Sequence, residues 1–216
     1  MKGDIIILEE HHKKVASVVV SHIIQKIKNK PVRYTITVAG ESGSGKSETG
    51  KALAEELEKF EIKSIVLGQD DYCYLPPKSN DIKRKEDPDW LGPHIEIKMH
   101  VLEKNLKDAI DGKNEITKPL IDYNENSTEE IKVSLDGVKV VIAEGTYTSL
   151  LKNVDTRIFI ARNSLDTMEH RKKRNRGNEV NDSFTEKILI TEHKIIAGHK
   201  QLADFIITKD YEVIIP

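Results

Sequence analysis

Arg33-Tyr34-Thr35-Ile36-Thr37-Val38-Ala39, running straight into Gly40-Glu41-Ser42-Gly43-Ser44-Gly45-Lys46-Ser47, decides the fold. The first part is short and β-branched, which predicts a strand. The second fits the P-loop template: a glycine, four residues, then Gly-Lys-Ser. Such a loop turns successive backbone N–H groups inward around phosphate oxygens, so glycines stand where a side chain would block the approach. A helix predicted from Gly45 to about Phe60 sets its N-terminus behind the loop, where anions are favoured. Lys46 then brings a point charge to the β- and γ-phosphates, and Ser47 offers a hydroxyl to Mg²⁺. Gly40, Glu41, Ser42, Gly43, Ser44, Gly45, Lys46, Ser47 and Glu48 are therefore the candidate cofactor-binding residues.

Composition bounds what surrounds this loop. A chain of 216 residues predicts one domain. With 38% hydrophobic and 32% charged residues it can build a sizeable core, and disorder is excluded. Lys plus Arg (34) nearly balances Asp plus Glu (36), so any anion site is local rather than a whole-molecule field. Aromatics at 5% argue against a stacking-rich nucleic-acid binder. The lone Cys73 excludes an intrachain disulfide or a Cys-cluster zinc site and suits a reducing compartment, so a cytoplasmic location is expected. Ile5 to Leu8, closed by Glu9 and Glu10, is too short for a signal peptide. No run approaches the ~18 apolar residues of a membrane span, so a soluble chain is expected.

Val15, Val18, Val19, Ile23 and Ile27 recur at helical spacing and predict a helix over residues 10 to 29, ended by Asn29-Lys30-Pro31. Short apolar runs at Ile62 to Leu67, Val138 to Ala143, Thr156 to Ile160 and Phe205 to Thr208 predict further strands, buried on both faces. Helical stretches at about 94 to 111, 164 to 175 and 183 to 200 alternate with them. That order predicts an α/β fold, a parallel sheet sandwiched by helices. Tyr74 to Pro93 reads as a Pro- and charge-rich insertion, and Glu115 to Leu135 as two weak strands around a polar loop, Asn124 to Glu130. The expected organisation is one domain over 1–216, with an N-terminal extension (1–30), substrate-side insertions (74–135) and a lid (164–182). His11 and His12, adjacent and so unable to share a helix face, read as surface.

The other motifs narrow the reaction. Asp89-Trp90-Leu91-Gly92 has the spelling of a GTPase switch motif, but charged Lys83 to Asp87 precedes it where a strand should lie. Thr208-Lys209-Asp210 is one residue short of a guanine-reading motif, so the switch reading is rejected. Leu67-Gly68-Gln69-Asp70-Asp71-Tyr72 puts two carboxylates at a strand C-terminus, beside the crevice where open α/β sheets bind ligands. A carboxylate there can accept the proton of an attacking hydroxyl. Val140-Val141-Ile142-Ala143-Glu144-Gly145 ends a buried strand in one acid, which makes Glu144 the candidate partner of Ser47 on the metal side. The run Arg171-Lys172-Lys173-Arg174-Asn175-Arg176 reads as a solvated face, a nucleic-acid patch, or a lid that brings arginines onto the phosphoryl group; the lid is preferred.

With these pieces in order, the chain resembles the uridine kinase and phosphoribulokinase group of P-loop kinases from Thr35 to Thr208. The matching residues are Gly40 to Ser47, Gln69-Asp70, Ile142-Ala143-Glu144-Gly145, Arg171, Arg176-Gly177, Lys200 and Ala203-Asp204-Phe205-Ile206-Ile207. The resemblance implies transfer of the γ-phosphoryl group of ATP, with Mg²⁺, to a hydroxyl of a small molecule. It makes Asp70 the base, with Lys46, Arg171 and Arg176 assisting. Uridine kinases hold the nucleoside with a Pro-x-Tyr stretch, then a His and an Arg; here Pro119 is kept, while Ile121, Asn126 and Thr128 stand at the other three positions. Tyr72, Glu96, Asp122 and Tyr123 are the candidate acceptor contacts. A nucleoside is the first expectation for the acceptor, with a sugar, sugar phosphate or organic acid as the alternative. A nucleotide-dependent nucleic-acid-binding regulator is the reading from another class. A homo-oligomer is compatible with the sequence.

Overall fold

Val15, Val19, Ile23 and Ile27 line one stripe of a helix, and that stripe is what α1 (Glu10–Asn29) buries. The computed structural model describes residues 1–3, 5–163, 166–167 and 183–216. Its six-stranded sheet runs β2 (Ser64–Gly68), β5 (Val140–Glu144), β1 (Tyr34–Gly40), β6 (Thr156–Ile160), β7 (Phe205–Ile207), β8 (Val213–Ile214). All neighbours are parallel except β7 and β8.

Successive side chains of a strand face opposite ways, so each apolar run serves two cores. Ile36, Val38, Val140, Ile142, Ile158 and Ile160 face a layer formed by α1 and α2 (Lys46–Glu58), whose Ala52, Leu53 and Leu57 join Val19 and Ile23. Ala39, Val141, Ala143 and Phe159 face the other layer, where α4 (Met99–Ile110) brings Leu102, Leu106 and Ala109. The N-terminal helix is thus part of the covering of the sheet.

Elsewhere the structure departs from the sequence expectation. The two strands expected within Glu115 to Leu135 are present, as an antiparallel hairpin of β3 (Glu115–Asp122) with β4 (Ser127–Ser134), but they pair further than expected, from Glu115↔Ser134 to Asp122↔Ser127. Thr128 and Glu130 pair across it, so the polar loop shrinks to a tight turn at whose end Asn126 takes the left-handed conformation. Within the expected Pro-rich insertion, α3 (Pro77–Glu86) starts with proline in its first turn, where the missing N–H costs no helix bond. The last helix, α5 (Ser183–Ile196), stops short of residue 200, and His199–Leu202 form a 3-10 turn. His12 corrects the surface reading: it is fully buried, with its ring 5.2 Å from that of Tyr211, because β8 and the chain before it return beneath the start of α1. No helix among the described residues is long and apolar enough to cross a membrane.

Candidate active site

Parallel pairing brings the C-terminal ends of β1, β5 and β2 to one edge, with Glu144 in register with Val38 on one side and Gly68 on the other. The glycine-rich loop leaves β1 at that edge and enters α2 at Lys46. Gly43 and Gly45 adopt φ of 77° and 98°, the left-handed region that favours glycine. At Gly40 a Cβ would lie 2.8 Å from Ser44 Oγ and 2.9 Å from the Ile160 carbonyl oxygen, so the close turn admits no side chain. Lys46 Nζ donates to the Glu41 carbonyl at 2.8 Å. Glu48, also expected to meet the cofactor, has a fully buried side chain close to the Tyr211 phenol.

Ser47 Oγ donates to Glu144 Oε2 at 3.2 Å. Glu144 is crowded against β2, where a Cβ on Gly68 would come within 2.9 Å of its Oε1. Burial, and then the neighbouring Asp70 charge, push the Glu144 carboxyl up to about 7, opposed by Lys46 and the Ser47 hydrogen bond. The Glu144 carboxylate and the Ser47 hydroxyl that meet here, with the Asp70 charge nearby, are hard oxygen donors of the kind that suits Mg²⁺, and a cation beside them would relieve the desolvated charge. The residues present therefore fit the ion.

The next residue on β5's exit, Gly145, sits against Gln69: a Cβ there would fall 2.2 Å from Gln69 Cβ. Gln69 Oε1 in turn accepts the Tyr147 N–H at 2.8 Å. This lock fixes the one-turn 3-10 helix Gln69–Tyr72 that carries the paired aspartates, and it separates their roles. Asp70 is exposed at the mouth of the site. Asp71 is buried, its Oδ2 2.7 Å from Lys118 Nζ and its Oδ1 accepting the Ile121 N–H at 3.1 Å, so it ties β2 to the hairpin.

The four expected acceptor contacts have partners within the fold. Tyr72 is fully buried and its hydroxyl donates to Asn105 Oδ1 at 2.9 Å; burial raises the phenol well above its ordinary range, so the ring is core and not an acceptor contact. Glu96, 2% exposed, accepts from Arg84 Nε at 2.9 Å and Asn80 Nδ2 at 3.0 Å, and so staples α3 to the segment before α4. Asp122 Oδ1 accepts the N–H groups of Asn124 and Glu125, each at 3.0 Å, and Lys2 lies 2.9 Å from its Oδ2. Lys2 first, then the turn's N–H groups, hold its carboxyl below the usual range. Tyr123 belongs to the same turn, its N–H on the Lys2 carbonyl at 3.0 Å. A short polar side chain such as that of Asp122 makes a hairpin turn as readily as a ligand contact. Arg171 and Arg176 lie outside the described residues.

Sequence reasoning missed the residues that α5 adds. Ser42 donates both its N–H (2.6 Å) and its hydroxyl (2.8 Å) to the carboxylate of Glu192, and His193 Nδ1 lies 2.6 Å from Glu41 Oε1. Glu192-His193 matches no motif. The only signal was a charged residue, Glu192, on the same helix stripe as apolar Leu189 and Ile196.

A glycine-rich loop at the C-terminal edge of a mainly parallel sheet, with acids at the ends of β5 and β2, defines a P-loop protein. The model of the phosphoribulokinase/uridine kinase family matches residues 35–210, and the chain belongs to that family of kinases. A bifunctional alpha-galactosidase/sucrose kinase of Mediterraneibacter gnavus is 27% identical over 192 residues, 84% of this chain and 20% of that protein. The chain thus spans about a fifth of the length of that curated relative. Among solved structures, D-glycerate 3-kinase from Cryptococcus neoformans var. grubii is similar with a TM-score of 0.61 at 15% identity, over 95% of this chain and 98% of that one. Phosphoribulokinase from Rhodobacter spheroides gives 0.60 at 11% identity, over 82% and 70%. At such identities the likeness is one of fold.

Proposed function

We propose that the chain transfers the γ-phosphoryl group of ATP to a hydroxyl of a small metabolite, and that the acceptor is a sugar or similar polyhydroxylated compound. The observation that carries the reaction is the meeting of Ser47 with Glu144 beside exposed Asp70, at the mouth of the glycine-rich loop. In this reading Asp70 accepts the proton of the attacking hydroxyl, and the oxygen bonds to the γ-phosphorus. The bond from that phosphorus to the β–γ bridging oxygen breaks, and ADP leaves with the electron pair. Lys46, its Nζ keeping one N–H on the Glu41 carbonyl, turns its other N–H groups to the β- and γ-phosphates, while the loop N–H groups hold the tail. Mg²⁺, when bound, neutralises charge on the phosphate oxygens; Ser47 and Glu144 are the residues that would hold it or its water.

A sugar-type acceptor is preferred over a nucleoside on two grounds. Ile121, at the position of the nucleoside-stacking tyrosine, is fully buried in the hairpin. Asn126, at the position of the histidine, is engaged with α3, accepting the Lys78 N–H at 2.9 Å and donating to Ser79 Oγ at 2.9 Å. A site built to hydrogen-bond one acceptor discriminates strongly against another that cannot make those bonds. The curated relative named for sucrose kinase points the same way. The test is ADP release from Mg-ATP in the presence of a panel of sugars, sugar phosphates, hydroxy acids and nucleosides. Turnover with a sugar supports the reading; turnover with nucleosides alone contradicts it.

A further inference from the structure

The first half of the phosphate loop lies beyond the ladder of β1 and before the hydrogen bonds of α2, yet two consecutive residues of α5 grip it. Glu192 takes both donors of Ser42, at 2.6 and 2.8 Å, and His193 reaches the side chain of Glu41 at 2.6 Å. Both Ser42 bonds are short, and both end on one buried carboxyl group. Glu192 is only 5% exposed, so water does not compete for these bonds. The gripped residues matter because the Glu41 carbonyl holds Lys46 Nζ at 2.8 Å. A continuous set of contacts therefore runs from α5 through Glu41 and Ser42 to the cation that a P-loop brings to the β- and γ-phosphates.

We propose that Glu192 is a positioning residue of the phosphate cradle, fixing through Ser42 the half of the loop that tethers Lys46, and so governing phosphoryl transfer more than nucleotide affinity. Affinity rests on the N–H groups of Lys46 and Ser47, which the first turn of α2 itself positions. This inference rests on the kinase reading above.

The substitutions separate geometry from charge. Glu192→Gln keeps the grip, because the amide oxygen accepts the Ser42 N–H and the amide NH₂ donates to Ser42 Oγ. Glu192→Ala removes it, and Glu192→Asp, one methylene shorter, weakens it while keeping the charge. The readouts, on the full chain, are hydrogen exchange at the Ser42 amide and the kcat and KM for Mg-ATP, measured by hydrolysis and with any acceptor the panel identifies. For Glu192→Ala the expected result is faster exchange at Ser42 and a kcat lower by about 10- to 100-fold, with KM changed by less than about twofold. Glu192→Asp falls between, and Glu192→Gln returns to within about threefold of the parent. The proposal is overturned if Gln is as impaired as Ala, if the loss lies in KM alone, or if exchange at Ser42 is unchanged in Ala. It is also overturned if Gln binds ATP more tightly than the parent, since the carboxylate would then be competing with the terminal phosphate. Should the parent turn over no ATP at all, the kinase reading falls, and the exchange at Ser42 still decides whether Glu192 holds the loop.

Discussion

Ser47 and Glu144 stand 97 residues apart in the chain, and the Ser47 hydroxyl donates to Glu144 Oε2 at 3.2 Å. One belongs to the first turn of α2, the other to the end of β5, and only the parallel pairing of β5 with β1 brings them together. Under the proposed function this pair holds the Mg²⁺ shell. Glu144→Gln is expected to reduce turnover or metal affinity by about 10- to 100-fold and to shift the Mg²⁺ titration to higher concentration. An unchanged titration would remove Glu144 from the metal side, and activity that survives chelation would remove the metal.

Asp71 tests the division of labour between the two aspartates. Its ion pair with Lys118 is buried on both sides, with side-chain exposures of 5% and 6%. Removing one partner of such a pair typically costs about 3–5 kcal/mol, because the remaining charge is left buried alone. Asp71→Asn should therefore lower stability in urea unfolding by an amount of that order, whereas Asp70→Asn, exposed, should leave the midpoint close to that of the parent. Equal midpoints for the two variants would contradict the assignment.

Ile23 measures what α1 contributes. It is fully buried in the core between α1 and the sheet. Ile23→Ala removes that packing and leaves a cavity, for an expected loss of about 2–5 kcal/mol. A loss below about 1 kcal/mol would mean that α1 is only loosely applied to the sheet.

Cys73 should be a poor nucleophile. Burial, then the charges of Asp70 and Glu96, push its thiol well above the ordinary range, so almost no thiolate exists near pH 8. Alkylation by iodoacetamide should be slow in the native protein and fast in urea. Rapid native alkylation would show that the segment around Cys73 opens easily.

The strands and the phosphate loop were legible because their signals are local. Five β-branched runs and the Gly-x4-Gly-Lys-Ser spacing each carry their meaning within about ten residues. The structure lengthens or trims them by a residue or two, as at β2, expected from Ile62 and observed from Ser64. α3 was hidden because it has almost no apolar stripe: Asn80 is its one buried residue. β8, two residues long, is too short for any period. The surroundings of the polar side chains expected as acceptor contacts were hidden for a different reason. Glu96, Asp122 and Tyr72 find partners at Arg84, Lys2 and Asn105, and nothing in the local sequence announces a partner that folding supplies. Asp70 and Asp71 are chemically identical in the sequence; partners that folding supplies to Asp71, among them the hairpin's Lys118 and the Ile121 N–H, distinguish them.

Asp70 is the residue on which the proposed chemistry turns. The most direct measurement is single-turnover phosphoryl transfer from Mg-ATP to the acceptor by Asp70→Asn, alongside its dissociation constant for ATP. The account predicts transfer slower by about two to four orders of magnitude with ATP affinity nearly unchanged. Transfer at the parent rate would contradict it.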